Sequence, residues 1–244
     1  MTLSRRTALL AGLSGLVVPA LNRDAGAQDA WYPIAGPDGR EVQNFRVPVE
    51  LQTEIMALDN AEQHGIVEIM ALDNAVLLGA READLTLIEV YYSNCSFCRR
   101  AAMDVKRITE RDRDLAVSLV NAPSLGLPSV QAARVEYAVK QLGGEEKARA
   151  FHAASMATRG VFEGRRALAL AADLGLDRSQ VEEVADRPET GRVIADAVRL
   201  ANATNLAATP SWLIAGTAVI GWPGRPTMER IVAAVRDCDK PVCA

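Results

Sequence analysis

The 244-residue chain is poor in histidine, a residue on which many metal centres and hydrolytic active sites depend. It contains two histidines, His64 and His152, which leaves little basis for a histidine-rich metal site or a Ser-His-Asp triad. Its formal net charge is −4 and it has no long block of lysine or arginine, which argues against a protein that neutralises many nucleic-acid phosphates. Hydrophobic residues make up 49% of the chain, a share typical of a globular protein with a substantial core.

The first 27 residues have the three-part pattern of an export signal. The pair Arg5-Arg6 precedes an apolar run over 7–20, and small residues at 25–27 offer a cleavage site after Ala27. The apolar run is shorter than the roughly 20 residues of a membrane-spanning helix. The paired arginines favour a twin-arginine signal over an ordinary secretory signal or an uncleaved anchor. We therefore expect export to the periplasm, where disulfide bonds persist.

Residues 28–75 form an N-terminal extension that contains an internal repeat. One short strand is predicted over 41–47, within a turn-rich stretch. The octapeptide EIMALDNA occurs at 54–61 and again at 68–75, which indicates a small in-frame duplication rather than a solenoid. We interpret the repeat as a lengthened helical linker, with a helical association surface as the alternative.

From position 84 onward, the apolar pattern predicts alternating strands and helices. The near-continuous apolar run over 85–92 is typical of a strand that is covered on both faces. A helix is predicted after Cys98 and a strand at 115–120. One helical pattern then ends at Gly143-Gly144, and further helical segments cover about 145–158, 164–174 and 188–203. The last predicted elements are a hairpin of strands 211–215 and 218–222, joined at 216–217, and a helix at 226–237.

Two of the four cysteines, Cys95 and Cys98, form a C-x-x-C motif where a strand ends and a helix begins. The unpaired N–H groups and the dipole of a helix start stabilise an anion, which lowers the pKa of Cys95. We expect Cys95 to be the exposed nucleophile and Cys98, one turn further, to be the buried resolving thiol. A zinc site would need two more ligands, and the pair Cys238 and Cys243 has the wrong spacing and no nearby histidine. No metal and no cofactor is predicted.

Glu89 interrupts the apolar strand six residues before Cys95. Burial raises the pKa of a carboxyl group, so Glu89 is a candidate proton acceptor for Cys98. The alternative is a glutamate at a strand edge, with its carboxylate in solvent.

Three segments together resemble the DsbA-like thiol-disulfide oxidoreductases of the thioredoxin-fold superfamily. They are the strand LIEVYY at 87–92, the motif CSFC at 95–98 and the segment AATPSWLI at 207–214. The resemblance implies an α/β, thioredoxin-like fold over 76–237 with an inserted all-helical domain at about 125–203.

The resemblance also implies roles for individual residues. Glu89 corresponds to a buried acid that assists proton transfer, and Pro210 to a cis proline packed against the cysteine pair. Thr209 is expected to present backbone groups to an extended substrate strand, and Phe97 to contact substrate. The implied activity is disulfide exchange with exported proteins, foremost as a disulfide oxidase, with isomerase or reductase activity as the alternative. A membrane or soluble redox partner would reset the cysteine pair.

One departure from that family concerns the residues between the cysteines. DsbA-type oxidases commonly have Pro-His there, whereas this chain has Ser96-Phe97. Without the histidine, the pKa of Cys95 should be higher and the disulfide less oxidising than in those enzymes, which leaves the redox direction open. A non-enzymatic periplasmic metal binder or chaperone-like protein remains as a different class of function.

The tail at 238–244 carries the second cysteine pair, Cys238 and Cys243. We predict a structural disulfide that closes the C-terminus. The alternative is a shuttle pair that passes electrons to Cys95.

Overall fold

The computed structural model describes residues 32–47 and 72–243. The predicted export signal, His64 and all of the octapeptide repeat except 72–75 lie outside the described residues. The strands are β1 Asn44–Arg46, β2 Ala75–Gly79, β3 Leu85–Tyr91, β4 Leu115–Asn121, β5 Ser211–Ile214 and β6 Thr217–Ile220. The helices are α1 Ser96–Arg111, α2 Gly126–Ala157, α3 Gly164–Asp173, α4 Arg178–Asp186, α5 Pro188–Ala203 and α6 Arg225–Cys238.

The described strands form one mixed sheet in the order β1-β6-β5-β3-β4-β2. Strand β3 lies in its interior, parallel to β4 and antiparallel to β5. Its side chains alternate between two buried clusters, with Leu87 and Tyr91 packed on the side of α1 and α6. Ile88 and Val90 pack on the other side, against α5. The prediction of a strand covered on both faces is confirmed.

Helix α1 begins directly after the loop that follows β3. Its buried residues recur at helical spacing and pack against the sheet; they are Cys98, Ala101, Val105 and Ile108. Because the strand is fixed in the sheet interior and the helix is fixed by this apolar stripe, the loop between them is held in place at both ends.

Helices α2 to α5 lie between β4 and β5 in the chain and have a separate apolar core. Phe151 of α2 and Phe162 of the following loop meet edge to face in this core, with ring centroids 6.0 Å apart. The predicted helix end at Gly143-Gly144 corresponds to a kink, since Gly144 has a φ of 70° and a helical run continues beyond it. The helical region expected at about 125–203 is therefore present.

Three local predictions are wrong or incomplete. Strand β2 was not predicted, because it follows the repeat, where the apolar pattern favours a helix. Helix α4 was not predicted, because its nine residues carry only a short apolar stripe of Val181, Val184 and Ala185. The hairpin turn lies at Ala215-Gly216 rather than at 216–217, and both residues have the positive φ that a two-residue turn needs.

Among the described residues, no helix combines the length and the apolarity that crossing a membrane requires.

Candidate active site

Cys95 is the N-cap residue of α1, and its Sγ accepts a hydrogen bond from the backbone N–H of Cys98 at 3.2 Å. That N–H is one of the four at a helix start that have no partner within the helix. The pKa of the Cys95 thiol is lowered from 9.0 to about 6, mainly by the hydrogen bond from the Cys98 thiol. Thr209 and the backbone N–H groups of Phe97 and Cys98 lower it further, while burial opposes them. The Cys98 thiol and, to a smaller extent, Thr209 and the N–H groups of the helix start therefore stabilise the Cys95 thiolate.

The pKa of the Cys98 thiol is shifted in the opposite direction. Burial raises the pKa of its thiol, and its hydrogen bond to Cys95 and the charges of Cys95 and Glu89 raise it further. The two thiols are not joined by a disulfide. They form an unequal pair, in which the pKa of Cys95 is lowered and the pKa of Cys98 is raised. This division is the one that a nucleophile and a resolving thiol require.

The expectation that Cys95 is exposed is wrong. Cys95 is 5% exposed and Cys98 is 1% exposed, so both are buried and only their order agrees with the prediction. The resemblance implied that the Thr209-Pro210 loop packs against the cysteine pair, and the Cys95 thiol donates a hydrogen bond to the carbonyl oxygen of Thr209 at 3.4 Å. The loop before β5 therefore lies against the sulfur.

Thr209 and Pro210 are joined by a cis peptide bond directly before β5. The pair is 114 residues away from Cys95 in the chain, and the pairing of β5 with β3 brings the two together. The structure thus assembles Cys95, Cys98 and the Thr209-Pro210 loop at one end of the central strands.

Glu89 is 2% exposed and lies on the interior strand β3, which excludes the alternative of a glutamate at a strand edge. Glu89 lies two residues from both Leu87 and Tyr91, so its side chain is on the same face of the strand. That face packs into the buried cluster that also contains Cys98. Burial, and secondarily the charge of Cys95, raises the pKa of the Glu89 carboxyl well above 4.5. The carboxyl group can therefore hold a proton beneath the cysteine pair.

Phe97, between the two cysteines, is 58% exposed. The guanidinium group of Arg100 lies over its ring, 4.5 Å from the centroid. An exposed aromatic ring two residues after the reactive cysteine is available to contact a substrate.

Asn94 is a residue of the site that the sequence did not indicate. Its Nδ2 donates to Ser129 Oγ at 3.0 Å and to the carbonyl oxygen of Phe162 at 2.9 Å, and its Oδ1 accepts from the Phe162 N–H at 2.7 Å. These partners lie 35 and 68 residues further along the chain, so no local pattern could have revealed them. Asn94 fastens the active-site loop to the helical region.

Arg99 adds a second set of hydrogen bonds to the same loop. Its Nε donates to the carbonyl oxygen of Ser93 at 2.7 Å and its Nη1 to that of Gly160 at 2.9 Å. Burial lowers the pKa of Arg99, as does the nearby charge of Arg166, whereas the charge of Cys95 raises it. Arg99 is therefore a cation close to the thiolate, held by backbone carbonyl groups.

A buried polar cluster around Glu136 of α2 lies next to this site. Tyr91 donates to Glu136 Oε1 at 2.6 Å, and Asn121 Nδ2 donates to Oε2 at 2.5 Å. His152 is 4% exposed and lies 3.8 Å from Glu136, and its Nδ1 has no hydrogen-bond partner among the described residues. The cluster joins β3 and β4 to the helical region.

Cys238 and Cys243 form a disulfide at the end of α6. Cys243 Sγ also lies 3.5 Å from the carbonyl oxygen of Ala234. Within residues 32–47 and 72–243, no group of three or more His, Cys, Asp and Glu side chains is arranged to hold a metal ion.

Comparison with known proteins gives matches of two kinds. The sequence profile of the DSBA-like thioredoxin domain matches residues 119–236. A thioredoxin-like oxidoreductase from Silicibacter pomeroyi has 32% sequence identity and a TM-score of 0.62, and the match covers 68% of this chain and 94% of that one. No curated protein sequence matches.

Two more distant solved structures share the fold. The thiol-disulfide exchange protein alpha-DsbA2 from Wolbachia pipientis has 18% identity and a TM-score of 0.63, with 75% of this chain and 92% of that chain covered. A periplasmic thioredoxin-like protein from Salmonella enterica serovar Typhimurium has 20% identity and a TM-score of 0.56, with 73% and 98% covered. The predicted α/β, thioredoxin-like fold with a helical insertion is confirmed.

Proposed function

This chain belongs to the DsbA-like thioredoxin-domain family of thiol-disulfide oxidoreductases, and we propose that it acts in the periplasm as a disulfide oxidase of exported proteins, through Cys95 and Cys98. The observation that carries the proposal is the unequal cysteine pair at the start of α1, where the pKa of Cys95 is lowered to about 6 and that of Cys98 is raised. A thiol of low pKa is a good leaving group, so a disulfide that contains it transfers readily to a substrate.

Oxidation of a substrate proceeds in two exchanges. A substrate thiolate attacks Cys95 Sγ of the Cys95–Cys98 disulfide, which forms a mixed disulfide and releases Cys98 as a thiolate. A second substrate thiolate then attacks the substrate sulfur of the mixed disulfide and releases the Cys95 thiolate. Two electrons pass from the substrate dithiol to the cysteine pair, and the substrate gains one disulfide.

Glu89 supplies the proton that this sequence requires. The released Cys98 thiolate is buried and has a raised pKa, so it must take up a proton at once. The Glu89 carboxyl faces the same buried cluster and has a raised pKa, so it holds a proton to give. When the pair is oxidised again, Glu89 takes the proton back from Cys98.

Thr209, Pro210 and Phe97 are proposed to hold the substrate. The Thr209 carbonyl oxygen lies 3.4 Å from Cys95 Sγ, so backbone groups at this position are within reach of a peptide bonded to that sulfur. The exposed ring of Phe97, two residues after Cys95 in the chain, offers an apolar contact.

Export rests on the N-terminal pattern and on one relative. The pair Arg5-Arg6, the apolar run and the small residues before a cleavage site after Ala27 are those of an exported protein. The related protein from Salmonella is described as periplasmic. A membrane or soluble redox partner in that compartment would reoxidise the cysteine pair.

Isomerase or reductase activity is the second candidate. Its support is the replacement of the Pro-His dipeptide of DsbA-type oxidases by Ser96-Phe97. A thiolate with a pKa of about 6 is less stable than the thiolate of DsbA, whose pKa is about 3.5, so the reduced pair is a better donor of electrons to a wrong disulfide.

One experiment separates these activities. The oxidised mature protein is mixed with a reduced two-cysteine peptide and, separately, the reduced protein is mixed with a scrambled disulfide protein in the absence of oxidant. An oxidase forms one peptide disulfide per cysteine pair. Cys98→Ser, oxidised beforehand with a small disulfide, should form a stable mixed disulfide with a peptide that has a single cysteine, since no second thiol can release Cys95. If Cys95→Ser forms the peptide disulfide as fast as the natural sequence, the proposal is wrong. Faster recovery of the scrambled protein than oxidation of the peptide assigns the isomerase role instead.

The compartment is tested with the full chain expressed in a bacterial host. We expect a periplasmic product that begins at Gln28, and an unprocessed cytoplasmic product from the Arg5→Lys, Arg6→Lys variant. Correct export of that variant contradicts the twin-arginine route, and retention of the natural chain in the cytoplasm contradicts periplasmic function.

A further inference from the structure

Five arginines lie on the two segments that flank Cys95, although the chain as a whole is acidic. We call them the arginine rim, which consists of Arg99, Arg100, Arg159, Arg165 and Arg166. The first two belong to the start of α1, and the others to the loop between α2 and α3 and to the start of α3. Arg99 is partly buried and the other four are exposed.

Hydrogen bonds hold the two segments of the rim together. Arg99 donates a hydrogen bond to the carbonyl oxygen of Gly160. Asn94, next to Cys95, hydrogen-bonds with both the N–H and the carbonyl oxygen of Phe162. Arg166 Nη1 donates to the carbonyl oxygens of Arg159 at 2.9 Å and of Val161 at 2.7 Å, which fixes its guanidinium over the same loop. The positive charges are therefore built into the surroundings of the reactive sulfur.

Few carboxylate groups of the protein lie close enough to neutralise the arginine rim. In the part of the chain that the structure describes, Glu163 pairs with Arg165 at 3.6 Å, and the other four rim arginines have no carboxylate within ion-pair distance. Asp104, the next acidic residue along α1, pairs with Arg107 instead. The rim is thus a basic patch on a protein of net charge −4, and the hydrogen bonds of its arginines go to carbonyl oxygens that leave the charge uncompensated.

We propose that the arginine rim selects substrate segments that carry aspartate or glutamate beside the reacting cysteine. The inference rests on the proposed exchange at Cys95. Acidic side chains flanking the substrate cysteine would lie against the rim when the substrate sulfur reaches Cys95, and complementary charge raises the rate of encounter.

The redox state of the cysteine pair changes the strength of this attraction. In the oxidised protein, Cys95 carries no charge and the rim attracts an acidic segment without opposition. After disulfide transfer, Cys95 is a thiolate whose charge offsets part of the rim, since it acts on Arg99 directly. The rim therefore binds the reduced acidic substrate more tightly than it binds the oxidised product, which favours release after the reaction.

The test uses three reduced two-cysteine peptides that differ only in the residues flanking the cysteines, which are Glu, Gln or Lys. The rate of peptide oxidation by the oxidised protein is measured at low and at high salt. Each rate is divided by the rate of the same peptide with a small uncharged disulfide, because flanking charge also changes the pKa of the peptide thiols. The variant Arg159→Gln, Arg165→Gln, Arg166→Gln removes three rim charges and leaves Arg99, which supports the active-site loop.

We expect the corrected Glu-to-Lys rate ratio to be about tenfold at low salt and to fall towards one at high salt. It should fall in the same way in the triple variant. The control variant Arg107→Gln, Arg111→Gln, Arg113→Gln removes the same charge around the other end of α1 and should keep the ratio. A ratio of one for the natural sequence at low salt, or a ratio that the triple variant retains, overturns the proposal.

The salt series on the natural sequence decides the question even when the triple variant does not fold. Failure of the proposed function has a different signature. In that case the Gln peptide is not oxidised either, whereas a wrong substrate preference leaves the Gln peptide oxidised and only the ratio at one.

Discussion

Titration of the reduced protein should show that Cys95 loses its proton near pH 6, since its pKa is lowered to about 6 from 9.0. At about pH 7, roughly nine in ten molecules then carry the thiolate, compared with about one in a hundred for a thiol of pKa 9.0. The thiolate is followed by its ultraviolet absorbance, with Cys95→Ser as the reference. Cys98 contributes nothing near neutral pH, because its pKa is raised.

The same change in pKa makes the stability of the reduced protein depend on pH. The pKa of Cys95 is lower in the folded protein, so the stabilisation is fully present above the unfolded value of 9.0 and is lost as the pH falls through about 6. At about 1.4 kcal/mol per pKa unit, it amounts to about 1.4 kcal/mol at pH 7 and approaches about 4 kcal/mol near pH 9.

Urea unfolding of the reduced protein and of reduced Cys95→Ser, at about pH 5, 7 and 9, measures this contribution. Glu89 and the other titrating groups are present in both proteins, so their effects largely cancel in the difference. We expect the difference in the free energy of unfolding to grow with pH by the amounts given above. A difference that stays constant between these pH values, or a thiolate midpoint near pH 9, would refute the reasoning from the helix start.

The reduction potential of the cysteine pair follows from the same free energy. About 1.4 kcal/mol at pH 7 raises the potential by about 30 mV over that of a pair with ordinary thiols. A thiol with a pKa of about 3.5, as in DsbA, gains about 5 kcal/mol, so this protein should be about 70 mV less oxidising and lie near −190 mV. A value near the roughly −270 mV of thioredoxin would contradict the oxidase role.

Three further substitutions test other parts of the site. Glu89→Gln should slow the single-turnover formation of the mixed disulfide from the oxidised protein by at least about a hundredfold, because the released Cys98 thiolate loses its proton donor; an unchanged rate assigns Glu89 no part in proton transfer. Tyr91→Phe should lower the free energy of unfolding in urea by about 1–3 kcal/mol, because the buried Glu136 carboxylate loses a hydrogen bond; a smaller loss means that water replaces the hydroxyl. Cys238→Ser, Cys243→Ser should cost about 2 kcal/mol of stability and leave peptide oxidation unchanged. If oxidation stops while the variant remains folded, the tail pair is a shuttle.

The parts of the site that are local in sequence could be predicted. An apolar strand, a C-x-x-C motif and a following amphipathic helix fix where Cys95 and Cys98 lie, and Glu89 is conspicuous because it interrupts the strand. The strand, the motif and the helix depend only on the period of a strand or helix or on a spacing of a few residues. The class of fold was implied by the resemblance of these segments, together with the one around Pro210, to the DsbA-like family.

The parts that depend on distant partners could not be predicted. Asn94 is an ordinary loop residue until Ser129 and Phe162 are brought against it. The low exposure of Cys95 has the same origin, since Thr209 reaches it only through the pairing of β5 with β3. Strand β2 was missed because its apolar residues follow a repeat with a helical pattern, and antiparallel pairing with β4 decides its conformation.

The 114 residues that separate Cys95 from Thr209 also have a consequence for the order of folding. Closing a flexible loop of that length is entropically unfavourable, and folding of helices α2 to α5 beforehand shortens the flexible part and lowers this cost by about 1 kcal/mol. Because the contacts within the insertion are closer in sequence, we expect it to fold early and the β3–β5 pairing to form late. The contact between Cys95 and the carbonyl oxygen of Thr209 should therefore be among the last to form, after the helical insertion has folded.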